Sequence, residues 1–197
     1  MTKSELLNEM QRRNNGYLFT NEVVLAGISR TYLSKYLEQH HFQRAAHGIY
    51  YSSDTWPDEL FILQKGNPRI VYSMDTALYL HGLTDREYSA IHVSVPKGFN
   101  PYRLKEKGVK IHTYSPDLYT MGVTEVTTNF NNIVRAYDRE RCICDIVAER
   151  NELETQTFQT ALKEYMSEKS KKLERLIQYA DRLNEREEMM KYVEVML

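Results

Sequence analysis

"SRTYLSKYLEQHHFQRAAHGIYY", residues 29–51, holds a short amphipathic helix and then a run of basic and aromatic residues around one glycine. Ser29 is placed to cap the helix. At about 100° per residue, Leu33, Tyr36 and Leu37 fall on one face, while Thr31, Ser34, Lys35 and Glu38 fall on the opposite one with Arg30 at the flank. One face is for burial, and the other is small, polar and basic near its start. "FQRAAHGIYY" then predicts two short strands turning near His47-Gly48, with Phe42, Ile49 and Tyr51 on the packed side.

Working upstream, Thr2-x-x-Glu5 fits a capping box and Leu6, Leu7 and Met10 recur at helical spacing, which predicts a helix from Thr2 to Arg13. Asn14-Asn15-Gly16 stops it. Tyr17-Leu18-Phe19 is a short apolar strand or connector. Thr20 is the expected N-cap of a second helix with Val23, Val24 and Leu25 inward, closed by Gly27. Three helices followed by a β-hairpin is the order of a winged helix-turn-helix. In such a fold the third helix can enter a DNA major groove, where Arg, Lys, Ser and Thr meet base edges and phosphates. Protein contacts alone are the competing reading of the same exposed charges.

Working downstream, "SSDTWPDE" is a plausible linker interrupted by Pro57, so the expected domains are 1–53 and 58–197. After it the pattern turns mixed. Residues 73–80 predict a helix stopped by His81-Gly82, "AIHVSVP" and "VKIHTY" alternate as half-buried strands, and "VTEVTTNF" is rich in β-branched residues. From Asn131 onward the chain is expected to be helical, with Leu173, Leu176, Ile177 and Ala180 on one stripe. The fold class expected is therefore α+β: an N-terminal winged helix-turn-helix, then a mixed α/β C-terminal domain ending in helices.

Composition bounds the function. With 197 residues, 42% hydrophobic and 27% charged, the chain can bury a sizeable core and is neither disordered nor fibrous. It has no run of about 18 apolar residues, and its start, MTKSELLNEMQRR, lacks a signal peptide's apolar segment; a soluble cytoplasmic protein is expected, with no membrane partner. Cys142 and Cys144 stand too close for an ordinary disulfide and no Cys or His pair has zinc spacing, so buried structural thiols are expected. The net charge of −1 does not advertise nucleic acid, but its distribution does. Lys3, Arg12, Arg13, Arg30, Lys35 and Arg44 outnumber the acids up to Ser53, and Lys97, Arg103, Lys105, Lys107 and Lys110 stand against Glu106 alone in "PKGFNPYRLKEKGVK".

The winged helix ending in "HGIYY", the helix "SMDTALYLHGLTD", the strand "IHVSVPKG", the basic stretch before "VKIHTY", and "RAYDRERCICDIV" together resemble the AbiEi antitoxin family of abortive-infection systems, in order along essentially the whole chain. The resemblance implies a two-domain antitoxin encoded beside a nucleotidyltransferase toxin. It implies a winged helix that represses the operon by binding inverted repeats in its own promoter, which would seat two copies on double-stranded DNA, and a C-terminal domain needed for antitoxicity. On that basis the DNA-reading role falls on Ser29, Arg30, Thr31, Ser34 and Lys35, and the wing role on Arg44, His47 and Gly48. No stable toxin complex is required.

Enzyme chemistry finds little support in the residues. His81, His92 and His112 could neighbour one another, but no ligand spacing supports a metal, and no cofactor is implied. Asp138 is better taken as an N-cap and Asp145 as an ion-pair partner than as a carboxylate pair. No phosphate-cradling glycine loop, GxSxG elbow or nuclease-like Asp with Glu-x-Lys is present. Lys97, Arg103, Lys105, Lys107 and Lys110 remain a second candidate, for DNA or for antitoxicity, against a solvated loop punctuated by Pro96, Gly98, Pro101 and Gly108. Three classes stay open: an autorepressing antitoxin, a winged-helix regulator without a toxin, and a protein-interaction adaptor.

Overall fold

The computed structural model describes residues 2–151 and 153–196 and shows a mixed α+β chain in two compact units. The first unit comprises the chain up to Pro68 together with 127–134, and the second comprises 69–126 and the chain from Arg135 onward. Compactness thus divides the chain at 68/69 rather than at 53–58. The expected linker is part of the first unit: Ser52 and Asp58 are buried, and Asp58 caps a helix through a 3.1 Å bond from Phe61 N.

In the first unit, α1 (Lys3–Arg13) carries the reciprocal Thr2–Glu5 capping box and buries Leu7 and Met10. Asn15 and Gly16 turn the chain in the left-handed region, and a Cβ on Gly16 would meet Thr55 Oγ1 at 1.8 Å, so only glycine fits there. β1 (Tyr17–Phe19), α2 (Thr20–Leu25), α3 (Arg30–Gln39), β2 (Gln43–Ala46) and β3 (Ile49–Tyr51) follow, and the strands pair antiparallel in the order β1-β3-β2. α3 buries Leu33, Tyr36 and Leu37, the face its periodicity predicts.

Two expectations change. The N-cap of α2 is Phe19, not Thr20, and of its apolar residues only Val23 is buried, while Val24 and Leu25 are exposed. A helix of one and a half turns has room for one inward position. The hairpin, moreover, is covered on both faces. Tyr50 and Phe42 pack on the helical core, whereas Ile49 and Tyr51 pair with Phe19 and Tyr17 on the other face. There α4 (Glu59–Gly66) brings Phe61, whose ring meets Tyr17 and Phe19 edge-on at 5.0 and 5.9 Å.

The second unit is built on the sheet order β6-β5-β4-β8-β7, from β4 (Val71–Tyr72), β5 (His92–Pro96), β6 (Lys110–Tyr114), β7 (Val123–Thr127) and β8 (Ile133–Tyr137), of which Thr127, Ile133 and Val134 count with the first unit. β8 overturns the expectation of helix from Asn131: it runs parallel to β4, and helix begins only at α8 (Arg139–Ala148), capped by Asp138. β5 is buried on both faces rather than half-buried, because β4 and β6 flank it and helices cover it. The remaining helices are α5 (Met74–Leu80), α6 (Tyr102–Lys105), α7 (Pro116–Thr120), α9 (Thr155–Ser167), α10 (Leu173–Arg182) and α11 (Arg186–Met196). On the expected C-terminal stripe, Leu176 and Ala180 are fully buried and Leu173 and Ile177 half-buried. Among the described residues no helix is long and apolar enough to cross a membrane.

Candidate functional site

An open groove in the first unit runs between α3 and the β2–β3 hairpin. Leu33, Leu37, Phe42 and Tyr50 form its apolar floor, and the same side chains belong to or pack on the core. The polar wall on the helix side is Arg30, Ser34 and Glu38, and on the hairpin side Arg44, His47 and Gly48. The helix supplies its wall because positions 30, 34 and 38 follow one another about a turn apart beside the buried stripe. The hairpin supplies the other because the strand register slips between Arg44 and Ala46, and Gly48 turns at φ +71°. Arg44 is held in place by its own turn: Nε donates to Ala46 O at 3.3 Å, and Nη2 lies 3.4 Å from His47 Nδ1. Gly48 O accepts from Thr20 N at 2.9 Å, tying the turn to the start of α2.

Of the residues singled out in the sequence, the groove therefore unites Arg30, Ser34, Arg44, His47 and Gly48. Ser29 lies just outside as the N-cap, accepting from Tyr32 N at 3.3 Å. Thr31 and Lys35 are exposed on the outward face of α3 and do not line the groove. α3 is fixed from behind, since the buried Tyr36 hydroxyl donates to Asn8 on α1 and burial raises its pKa. What the sequence did not signal is Glu38 as a groove residue. It places one carboxylate in the same lining as Arg30 and Arg44, which restricts where an anion can sit.

The second basic cluster lies wholly in the second unit. Lys97, Arg103, Lys105, Lys107 and Lys110 are all exposed on the crossover from β5 through α6 to β6. Among the described residues none of their side chains has an ion-pair or hydrogen-bond partner. Lys110 differs in standing close enough to Asp75 and His92 to influence both.

The three histidines do not converge. His81 Nε2 lies 2.6 Å from Tyr137 O, apart from the other two. His92 and His112, on paired strands, stack with Nδ1 and Nε2 3.1 Å apart, and His112 Nδ1 is 3.1 Å from Glu149 Oε1. With Glu149 ionised, His112 Nδ1–H donates to it, which leaves His112 Nε2 facing His92 Nδ1. Burial, reinforced by His112 and Lys110, pushes His92 down to about 4, and the bond from His112 lowers Glu149. The Asp138 carboxylate is the N-cap of α8, accepting from Arg141 N at 2.9 Å. Asp145 pairs with the buried Arg141 at 2.7 Å, and its burial raises it to about 6. Both carboxylates are thus engaged structurally. The thiols of Cys142 and Cys144 are buried and unlinked, and burial raises both.

No protein-family model matches this chain, and no curated protein does.

Proposed function

We propose that the first unit is a winged helix-turn-helix that binds double-stranded DNA, with α3 as the recognition helix and the β2–β3 hairpin as the wing. The observation that carries this reading is the groove in which Arg30 and Ser34 of the helix face Arg44 and His47 of the hairpin. Two guanidiniums on opposite walls of the open groove suit phosphates, which position a protein on the duplex. Thr31 and Lys35, projecting from the outward face, are placed to meet base edges in the major groove. Glu38 adds an acceptor suited to a cytosine amino group and disfavours a phosphate beside it.

With the resemblance to AbiEi antitoxins, we take the chain to be a self-repressing antitoxin. Two copies would occupy inverted repeats in its promoter, and the second unit would serve the neutralisation of a nucleotidyltransferase toxin encoded next to it. The test is a mobility shift of the full chain on its own upstream region against random duplex, with co-expression of the adjacent reading frame. Preferential retardation together with rescue of growth is the expected result. Equal binding to random duplex would remove the repressor role, and growth arrest despite soluble antitoxin would remove the antitoxin role.

A further inference from the structure

The β5–α6–β6 crossover carries a surface that duplex reading by α3 does not use. Its frame is tied to the sheet: Leu104 and Val109 are buried, Val109 N bonds Leu104 O at 3.1 Å, and Lys97 N bonds Tyr114 O at 2.8 Å. Gly98 and Gly108 turn the chain at either end with φ of +86° and +75°. Asn100 Oδ1 accepts from Tyr102 N at 3.1 Å, fixing the start of α6. With Leu104 inward, a helical advance of about 100° per residue puts Tyr102 on the outer crest with Arg103 and Lys105 to either side. Tyr102 is 63% exposed, a large aromatic ring presented to solvent among unpaired cations. Arg69 adds a further positive charge, its guanidinium lying 4.8 Å over the Phe99 ring on the same crossover.

An aromatic face between cations that have no protein partner matches one ligand chemistry closely. A single nucleic-acid strand offers bases that stack on the ring and phosphates that pair with the flanking Lys and Arg. A duplex hides its base faces and would leave the ring without a use. We propose that this crossover is a binding site for single-stranded nucleic acid, with Tyr102 as the stacking platform and Lys97, Arg103, Lys105 and Lys107 as the phosphate contacts. Recognition is tolerant of sequence, because every base has a π-face.

The site is tested with the full chain by fluorescence anisotropy of labelled oligothymidylate and oligouridylate of about a dozen nucleotides. The wild type should bind, with affinity falling with salt at a slope of about −0.7 per phosphate contact, or about −3 for four. Tyr102→Ala should weaken binding by about tenfold or more, and Tyr102→Phe, which keeps the ring, should not. Replacing the four cations by Gln should flatten the slope. Arg30→Ala with Lys35→Ala should leave strand binding intact, so failure of this site and failure of the α3 reading give different patterns. The proposal is overturned by absence of saturable strand binding, by an unchanged affinity in Tyr102→Ala, by equal competition from duplex of the same sequence, or by loss of strand binding in the α3 variant.

Discussion

Replacing both Arg30 and Arg44 by Ala should separate DNA binding from folding. Both side chains are exposed, and the hydrogen bonds of Arg44, at 3.3 and 3.4 Å, are long. Such substitutions change stability by less than about 0.5 kcal/mol each. If each guanidinium holds one phosphate, the slope of log affinity against log salt should fall by about 0.9 per residue, or about 1.8 for the pair. Between about 50 and 200 mM salt the variant should then lose about tenfold less affinity than the wild type. The assay is anisotropy on the upstream duplex over that salt range, with the urea midpoint as the folding control. A folded variant with the wild-type slope and affinity would refute the assignment of this groove to phosphates.

Other outcomes follow from the buried polar groups. Asp145→Ala strands the Arg141 guanidinium between the rings of Tyr114 and Tyr137, and should cost about 3–5 kcal/mol in urea unfolding; Arg141→Met with Asp145→Leu should recover most of it. Asp58→Ala removes the α4 cap and the acceptor for Thr128 Oγ1 and Asn132 Nδ2 at 2.6 and 2.9 Å, costing about 1 kcal/mol for the cap and more for the orphaned donors. His92, lowered to about 4 from an unfolded value of about 6.5, contributes stability that is complete above pH 6.5 and lost as pH falls toward 4. Asp145, raised to about 6, works in the opposite sense, its contribution being lost as pH rises through 6; His92→Gln should therefore lose less stability than the wild type between pH 7 and 4, read from urea midpoints at each pH. A fragment of residues 58–197 should be poorly soluble, since Phe61 loses Tyr17 and Phe19; a soluble, monomeric fragment by light scattering would contradict this.

Local chemistry made the first fifty residues legible. The Thr2–Glu5 box, the Ser29 cap and the α3 stripe depend on neighbours within one or two turns, and each is present. β8 was hidden because "NNIVRAYD" is short, apolar and directly followed by a strong helix start at Asp138. Its strand character comes from β4, more than sixty residues earlier, and a sequence window cannot register a distant partner. α4 was hidden in a stretch that Trp56 and Pro57 make look like a connector. Only its burial against Tyr17 and Phe19 shows it to be core.

The site divides in the same way. Exposure of Arg30, Thr31, Ser34 and Lys35 follows from a period of about 3.6 residues. Their facing of Arg44 and His47, and the presence of Glu38 beside them, depends on how the hairpin returns. Tyr102 is not marked out in the sequence because a four-residue helix has too little periodicity to reveal a crest.

The first unit is not one continuous stretch of chain. Asn15 Nδ2 donates to Asn131 O at 2.8 Å and to Asn132 Oδ1 at 3.1 Å, and Tyr17 OH accepts from Asp58 N at 2.8 Å. The Asp58 carboxylate in turn receives Thr128 and Asn132, so a polar network, buried at Asp58, joins the α1–β1 turn, β1, the start of α4 and the 127–134 segment. Buried networks of this kind stabilise only when every member is present, because each missing partner leaves a desolvated donor or acceptor. Completing the first unit therefore requires the chain through residue 134, a long loop closure that the order of its local helices does not reveal. A cut after residue 53 or 57 would separate the groove from groups that hold its scaffold. Any division of labour between DNA binding and antitoxicity is thus better probed by surface substitutions in the α3 groove and on the α6 crossover than by truncation.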